Sequence, residues 1–306
     1  MRKRFLITGA NGMLGTAVVK VIEAAGSEAV RTDLKPDAQS LFLDVRDLET
    51  VHRLIDRERP DWVFHLAAET DVDRCEKEPD HAFSINTLGT ENVALACQAK
   101  EIPMLYISTG GVFDGQKTTP YTEFDAPNPV NVYARTKWEG EKALPRHLRR
   151  YVIVRTGWLI GGGLKDKKFV AKILKRMETE EKIPVVTDKF GSPTFTEDLA
   201  QQLVRFLEKG RYGLFHMANH GFCSRFDVAA AIREYLGREE VTLQPVSSDA
   251  FPLPAPRGRS EALENYKLRL LGLDGMRPWQ EALKDYLDTL IVKRSDEDIV
   301  HSPIPH

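Results

Sequence analysis

The feature that most constrains the fold is a glycine-rich turn near the start of the chain, between a short apolar run and a helical pattern. Phe5–Ile7 is typical of a buried β-strand, and the apolar residues of Val18–Ile22 recur at helical spacing. Between them, Gly9 permits a tight turn, Gly12 lets the backbone approach a pyrophosphate, and Gly15 lets helix and strand pack closely. Strand, turn and helix together predict a dinucleotide-binding unit.

The turn and the strand that follows it predict which groups hold the cofactor. An acid about 20 residues beyond the glycines is where the adenosine ribose is bound, and Asp33 follows Gly15 by 18 residues. Its carboxylate favours NAD(H), whereas the flanking Arg31 and Lys35 could accept the 2′-phosphate of NADP(H). The preference between the two cofactors therefore stays open. Within the turn we expect cofactor contacts from Gly9, Asn11, Gly12, Met13 and Leu14.

Strands and helices alternate over the first half of the chain, which predicts a parallel, doubly wound sheet of the Rossmann type and an α/β fold class. Ligands bind such sheets at the carboxyl ends of the strands. We therefore expect Asp44 and Val45 to meet the adenine, and the small residues Ala67 and Ala68 to let the cofactor pass close by. The other predicted strands span 28–31, 41–45, 62–68, 104–108 and 151–156, and the predicted helices span 47–58 and 80–99.

A tyrosine and a lysine four residues apart provide the candidate chemistry. Tyr133 and Lys137 would lie on the same face of a helix, one turn from each other. We expect the ammonium to lower the pKa of the phenol, so that Tyr133 can exchange a proton with a carbonyl oxygen at neutral pH. This spacing alone is weak evidence, but Thr109 follows a predicted strand and so lies at the carboxyl edge of the same sheet.

Beyond Thr156 the alternation loosens, which predicts a smaller C-terminal substrate domain interleaved with the sheet domain. We assign residues 1–157, with about 188–210, to the Rossmann domain and residues 158–187 and 211–293 to the substrate domain. The charged residues 294–306 are predicted to be a disordered tail. The predicted elements of this region are helices over 169–177, over 196–207 with Thr196 as N-cap, from a cap at Ser224 to Leu236 and over 278–291, and a strand over 213–218.

Composition and charge exclude several classes of partner. The formal net charge of -2 gives no reason to expect nucleic acid or an anionic membrane as partner. Cys75, Cys97 and Cys223 are odd in number and far apart, which favours reduced thiols and a cytoplasmic location. No cluster of His, Cys and carboxylates suggests a metal site. His65 stands inside an apolar run and is predicted to be a core residue rather than a catalytic one.

Several further segments carry a family resemblance through their order and spacing. They are Thr8–Gly15, Asp71–Asp73, Ser108-Thr109 with Val112–Gly115, Pro129–Tyr133, Arg155-Thr156 with Trp158, Phe190–Thr194, and Phe251-Pro252 with Pro254-Ala255 and Arg257. On these segments the chain resembles the extended short-chain dehydrogenase/reductases, and among them the dTDP-4-dehydrorhamnose reductases. The resemblance runs from Arg4 to about Leu287.

The resemblance implies a catalytic trio of Thr109, Tyr133 and Lys137, with Val72, Trp158 and Arg257 holding a nucleotide-sugar substrate. It implies reduction, by NADH or NADPH, of the C4 ketone of a nucleotide-linked 6-deoxy sugar. A homodimer is the expected oligomer.

Two places in the chain depart from the family pattern. The family commonly has Asp-Tyr where this chain has Gly110-Gly111, and it prefers Pro and Ser where this chain has Gly258 and Glu261. Side chains expected to line the sugar pocket are therefore absent, which predicts a roomier or differently shaped site.

Two other functions fit the same scaffold. One is a nucleotide-sugar epimerase or 4,6-dehydratase, although a dehydratase needs an acid and a base beside Thr109, which Gly110-Gly111 does not supply. The other is a non-catalytic subunit that binds dinucleotide and regulates a partner enzyme. Intact Thr109, Tyr133 and Lys137 favour catalysis over the second alternative.

The placement of Asp33 at the ribose gives a first prediction. The Asp33→Ala variant should bind NADH more weakly and should favour NADPH relative to the unmodified protein, because a carboxylate accepts the ribose hydroxyls and repels a 2′-phosphate. Fluorescence titration with both reduced cofactors measures this shift. Unchanged affinity for both would show that Asp33 does not lie at the ribose.

Overall fold

A computed structural model describes residues 2–163 and 168–300, with side chains through Leu290. Its strands are β1 Arg4–Thr8, β2 Glu28–Asp33, β3 Leu41–Phe42, β4 Trp62–His65, β5 Met104–Thr109, β6 Tyr151–Thr156, β7 Leu159–Ile160, β8 Lys182–Val186, β9 Phe190–Gly191, β10 Thr194–Phe195, β11 Gly213–His216, β12 Cys223–Ser224, β13 Thr242–Val246 and β14 Ser260–Glu261.

Helices connect most of these strands. The α-helices are α1 Met13–Ala24, α2 Leu48–Glu58, α3 Val72–Lys77, α4 Pro79–Phe83, α5 Thr90–Ala99, α6 Val132–His147, α7 Phe169–Thr179, α8 Thr196–Leu207, α9 Arg225–Tyr235, α10 Tyr266–Leu270 and α11 Trp279–Val300. A π-helix spans Ser84–Gly89, and 3₁₀ turns span Gly110–Val112 and Ser248–Ala250. Over the described residues, no helix combines the length and the apolar character that a membrane span requires.

Within the described residues, seven strands form one parallel sheet in the order β11-β6-β5-β4-β1-β2-β3. Two apolar clusters accompany it: one includes Val18 and Leu203, from α1 and α8, and the other Val51 and Val93, from α2 and α5. The predicted α/β fold with a parallel, doubly wound sheet is confirmed. Because the strands are parallel, the glycine turn and the residues after β4, β5 and β6 meet at one edge of the sheet.

A separate apolar cluster joins α7, α9 and α11 with the parallel pair β8 and β13. Its residues come from the late part of the chain, and the division into two interleaved domains stays a prediction. One boundary differs from the predicted division. Strand β11 pairs with β6 from Gly213 to His216 and so belongs to the main sheet, on the other side of the boundary predicted near residue 210.

Most predicted elements agree with the structure, and the differences have local causes. Strand β3 ends at Phe42 rather than at 45, because Asp44 binds the guanidinium of Arg46 and the chain turns toward α2. The helix predicted over 80–99 is divided into α4, the π-helix and α5. The π-helix carries Asn86, whose side-chain amide donates to Thr136 Oγ1 at 3.0 Å and so ties this segment to α6.

The ends of two helices were also predicted wrongly. Phe195, not Thr196, is the N-cap of α8, and it makes no side-chain cap hydrogen bond. Helix α11 continues to Val300, so residues 294–300 are helical rather than part of a disordered tail. No glycine or proline occurs between Ile291 and Pro303 to end the helix, and Lys293, Arg294 and Glu297 have good helix propensity. Residues 301–306 lie outside the described residues.

A buried ion pair fixes α6 against two strands of the sheet. Arg155 on β6 donates to both carboxylate oxygens of Glu141 on α6, at 2.9 and 2.7 Å, and both side chains are nearly inaccessible to solvent. Ser108 on β5 donates to the same carboxylate at 2.5 Å. Because Ser108 precedes Thr109 and Glu141 lies one turn after Lys137, this pair aligns the segments that carry the candidate chemistry.

The second prediction tests this pair. The Glu141→Gln variant should lower the free energy of unfolding by about 3–5 kcal/mol, because it leaves the buried charge of Arg155 without a counter-ion. Glu139→Gln, on the same helix but in a half-buried pair with Lys142, should cost at most about 1 kcal/mol. Urea denaturation of both variants measures the difference, and equal losses would contradict the prediction.

Candidate active site

A cleft of about 1040 Å³ runs along the carboxyl edge of the sheet, and nearly all of the predicted site residues line it. They are Gly9, Gly12, Met13, Leu14, Asp33, Asp44, Val45, Ala67, Ala68, Val72, Thr109, Tyr133, Lys137, Trp158 and Arg257. The sequence therefore identified residues that the fold brings together from distant parts of the chain.

Asn11 is the predicted cofactor contact that does not line the cleft. Its side-chain amide donates to the carbonyl oxygen of Lys35 at 2.9 Å and to Ser40 Oγ at 3.1 Å. Its backbone N–H donates to the Asp33 carboxylate at 3.1 Å. Asn11 therefore holds the loop after β2 against the glycine turn. This role depends on contacts with residues distant in the sequence, so the local sequence around Asn11 does not predict it.

The glycine turn forms a cradle that only glycine can build. A Cβ on Gly9, whose φ is +69°, would lie 2.8 Å from the backbone nitrogen of Ala67, and a Cβ on Gly15 would lie 2.3 Å from the carbonyl oxygen of Gly9. Gly12 is the N-cap of α1, and no side chain caps the helix there. The first-turn N–H groups of α1 are thus available to an anion, so the turn fits the pyrophosphate of a dinucleotide.

The end of β2 carries the residues that would meet the adenosine ribose. Asp33 accepts backbone N–H bonds from Lys35 at 2.9 Å and from Asn11, which orients its carboxylate at the cleft. Arg31 is paired with Glu23 at 2.7 Å, whereas Lys35 itself lines the cleft. Of the two cations that flank Asp33 in the sequence, Lys35 is therefore the better placed to meet a 2′-phosphate.

Tyr133 lies in the first turn of α6, which begins at a well-defined cap. Asn131 accepts the backbone N–H of Ala134 at 2.9 Å, and its side-chain amide donates to the carbonyl oxygen of Pro256 at 2.9 Å. Thr109 ends β5 beside it, and its hydroxyl accepts the N–H of Gly111 at 3.0 Å. A hydrogen bond from Thr109 acts on the Tyr133 phenol, so the two hydroxyls meet as the proposed chemistry requires.

Lys137 is buried one turn further along α6. Its ammonium lies 4.2 Å from the ring centroid of Tyr106, a cation–π contact. Burial lowers the pKa of Lys137 from 10.5 to about 7, and the Glu141 carboxylate opposes part of this change. Near neutral pH Lys137 is therefore only partly protonated.

The expected effect of Lys137 on Tyr133 was wrong for this structure. Burial raises the pKa of Tyr133 above its ordinary value, and the negative charge of Glu261 raises it further, while the hydrogen bond from Thr109 opposes both. Lys137 does not reverse this, because the same burial removes much of its own charge. Tyr133 is thus held in its protonated form, the form that donates a proton.

His65 is a core residue, as its place in an apolar run predicted. It is fully buried between the hydroxyls of Thr8, at 2.8 Å, and Thr90, at 3.0 Å. Burial and the nearby Lys137 lower its pKa to about 3, so it stays neutral. Its two hydrogen bonds connect the end of β1 with α5.

The predicted substrate residues lie on the other wall of the cleft. Arg257 is paired with Asp73 at 2.9 Å, next to Val72. The ring of Trp158 lies flat against Gly191, where a Cβ would approach it to 2.3 Å, and the guanidinium of Arg225 lies 3.5 Å from its centroid.

Two lining residues, Arg225 and Glu261, were not predicted as contacts. Ser224 was recognised as the cap of α9, but nothing in the sequence shows that the first residue of that helix faces the cleft. Glu261 was recognised only as a departure from the family pattern.

The other departure from the family pattern, Gly110-Gly111, does not act by leaving space in the sugar pocket. Gly110 and Gly111 are buried and do not line the cleft. A Cβ on Gly110 would lie 3.1 Å from the carbonyl oxygen of Glu261 and 3.3 Å from the methyl groups of Leu263. The segment that contains β14 fills the space that a side chain at position 110 would occupy. The side chains expected at this place are therefore replaced by residues of that segment, and no empty space is left.

Comparison with known proteins agrees with this arrangement. Residues 3–292 match the family model described as the RmlD substrate binding domain. The chain belongs to the RmlD family. This confirms the resemblance on which the catalytic trio was assigned, and the match spans both the sheet and the late segments that form the second wall of the cleft.

Relatives within the RmlD family cover nearly the whole chain. The dTDP-4-dehydrorhamnose reductase of Mycolicibacterium smegmatis is 35% identical over 305 residues, 99% of this chain and 90% of the relative. A dTDP-4-dehydrorhamnose reductase structure from Clostridium acetobutylicum is 37% identical with a TM-score of 0.88, covering 94% of this chain and 99% of its own. The structure of the Bacillus anthracis dTDP-4-dehydrorhamnose reductase in complex with NADP is 35% identical with a TM-score of 0.88, covering 94% and 100%.

The third prediction concerns the charge of Lys137. In protein labelled at the lysine ¹³Cε, one resonance should titrate with a midpoint near pH 7, whereas exposed lysines titrate near 10.4. Its absence from the Lys137→Met spectrum would assign it. Glu141→Gln should move the midpoint lower, because the carboxylate favours the charged amine. A midpoint above pH 9 would contradict the effect assigned to burial.

Proposed function

We propose that this protein uses NADH or NADPH to reduce the C4 ketone of a nucleotide-linked 6-deoxy-4-keto sugar, as the name dTDP-4-dehydrorhamnose reductase describes for its relatives. The observation that carries the proposal is the convergence of Thr109, Tyr133 and Lys137 on one cleft whose other end is the glycine cradle. The residues of the cradle would hold a dinucleotide at the carboxyl edge of the sheet, the edge at which the trio lies. The same cleft has room for a second ligand beside it.

The hydroxyls of Thr109 and Tyr133 supply the proton and orient the ketone. The Thr109 oxygen already accepts an N–H from Gly111, and its proton, which is directed at Tyr133 in this structure, would hydrogen-bond the ketone oxygen of a bound substrate instead. Tyr133, protonated at neutral pH, donates its proton as the ketone oxygen gains negative charge. The reduced nicotinamide supplies the hydride when it is bound.

Lys137 would act in its protonated form, which only a fraction of the molecules carry near neutral pH. Protonated, it favours the negative charge that Tyr133 acquires when it gives up its proton. The buried ion pair of Glu141 and Arg155 holds α6, and hence Lys137 and Tyr133, in register with Thr109. We also assign Lys137 a contact with the nicotinamide ribose.

The cofactor would be held by the glycine turn and by residues that follow β2, β3 and β4. The first-turn N–H groups of α1 would bind the pyrophosphate, Asp33 or Lys35 would bind the adenosine ribose, and Asp44 and Val45 would contact the adenine. The small residues Ala67 and Ala68 leave room for the cofactor to pass. The nucleotide sugar would be held by Val72, Trp158 and Arg257.

A cytoplasmic, homodimeric protein remains part of this proposal. Cys75, Cys97 and Cys223 are free and buried, which suits a reducing compartment. The oligomer is an expectation from the family resemblance.

The fourth prediction tests the proton donor. Tyr133→Phe keeps the ring and removes the hydroxyl, so kcat should fall by roughly 10² to 10⁴ while cofactor affinity is retained. Thr109→Val should lower kcat less, and Lys137→Ala should weaken cofactor binding as well as turnover. Oxidation of NADH and NADPH with a panel of nucleotide-linked 4-keto sugars measures these effects.

Tyr212→Phe is the matched control, because this exposed tyrosine lies outside the cleft and should turn over normally. Wild-type turnover by Tyr133→Phe would refute the mechanism. Tight cofactor binding without turnover of any sugar in the panel would instead favour a regulatory dinucleotide-binding protein.

A further inference from the structure

Two charged side chains in the cleft wall have no counter-ion at pairing distance among the described residues. Glu261 and Arg225 both line the cleft and are partly buried. Over the described residues, neither the carboxylate nor the guanidinium makes a hydrogen bond or an ion pair within 4 Å. Withdrawing an unpaired charge from water is costly, so such groups in a cleft are expected to meet a ligand.

Glu261 lies close to the catalytic residues. Its carbonyl oxygen is 3.1 Å from the position that a Cβ on Gly110 would occupy, directly after Thr109, and 3.6 Å from the corresponding position at Gly157. Strand β14 pairs with β9 there, which fixes the backbone of Glu261 beside Gly191. Its negative charge acts on Tyr133 across the cleft.

Two of the three cations near Glu261 have other partners, which leaves its carboxylate available to a ligand. The cations that act on it are Arg225, Arg257 and Lys189. Arg257 is paired with Asp73, and Lys189 donates to the carbonyl oxygen of Arg257 at 2.8 Å.

Arg225 makes cation–π contacts with two aromatic rings. Its guanidinium lies 3.5 Å from the ring centroid of Trp158 and 4.9 Å from that of Phe169. The groups that act on Tyr133 are Glu261, Thr109 and Cys75. With three cations and the acids Asp73 and Glu261, this wall is net positive, which favours a neutral hydrogen-bond donor over an ammonium group as the partner of Glu261.

We propose that Glu261 is a specificity-determining residue that accepts a hydrogen bond from a hydroxyl on the sugar carbon next to the reduced carbonyl. The enzyme would then prefer 4-keto sugars that retain this hydroxyl over their deoxy analogues. A hydrogen bond to a charged group corresponds to a preference of about 10- to 100-fold. A sugar without the hydroxyl would displace water from the carboxylate without replacing the hydrogen bonds that the water made. This inference rests on the proposed reductase function.

The test compares kcat/KM for a nucleotide-linked 6-deoxy-4-keto hexose with that for its 3-deoxy analogue. The unmodified protein should prefer the 3-hydroxyl sugar by about 10- to 100-fold. Glu261→Ala should reduce the preference to about 1, and Glu261→Gln should keep part of it, because an amide oxygen still accepts a hydrogen bond. The control is Glu239→Gln, an exposed residue outside the cleft, which should keep the full preference.

A second measurement separates recognition from a merely structural role. In Glu261→Ala, the affinity for the reduced cofactor and kcat/KM for the 3-deoxy sugar should both be retained, because neither involves the hydrogen bond that is lost. A fall in both would show that Glu261 acts only by supporting the cleft wall and would overturn the inference. An unchanged sugar preference in Glu261→Ala would overturn it as well.

The design also distinguishes this inference from the proposed function. If neither sugar is reduced by the unmodified protein, the reductase proposal fails, and calorimetric binding of the two corresponding nucleotide-sugar alcohols then tests Glu261 directly. Preferential binding of the 3-hydroxyl compound, lost in Glu261→Ala, would support the role of Glu261. Equal binding of both compounds by the unmodified protein would refute it.

Discussion

The geometry of the active site depends on one buried carboxylate. Glu141 accepts hydrogen bonds from Arg155 and Ser108, and each of these residues immediately precedes a cleft residue, Thr156 and Thr109. The same helix carries Lys137 one turn earlier. A charge withdrawn from water tolerates few arrangements of its partners, because each lost hydrogen bond leaves a buried group unsatisfied. The pair therefore acts less as a source of net stability than as a device that sets the relative positions of α6, β5 and β6.

A second polar chain connects the two ends of the cleft. Thr8 at the end of β1 meets His65, His65 meets Thr90, and the Thr90 hydroxyl donates to the carbonyl oxygen of Asn86 at 2.7 Å. The amide of Asn86 then reaches Thr136, between Tyr133 and Lys137 on α6. Neutral His65 can take part because burial keeps its pKa far below physiological pH. The cradle for the dinucleotide and the helix that bears the proton donor are thus parts of one hydrogen-bonded framework.

Much of this framework could be predicted from the sequence, for identifiable reasons. The glycine spacing, the apolar strands and the helical periodicity are local patterns, so the sheet, the turn and most helices followed from them, and the trio followed from the family resemblance. What could not be predicted depends on contacts between distant segments. The π-helix requires Asn86 to reach Thr136, and the partners of Asn11 lie beyond β2. The pKa of Tyr133 depends on how deeply α6 is packed and on Glu261, which lies more than a hundred residues away.

The close approach of Gly110 to β14 makes two parts of the chain interdependent. The backbone of Glu261 and the side chain of Leu263 occupy the volume that any side chain at position 110 would need. A larger residue there would require the backbone of Glu261 and the side chain of Leu263 to move by at least a few tenths of an ångström. Position 110 is therefore coupled to the backbone of residue 261, whichever side chain that residue carries. A larger residue introduced at position 110 would shift the strand that presents Glu261 to the cleft, so changing one segment would change the sugar-facing surface formed by the other.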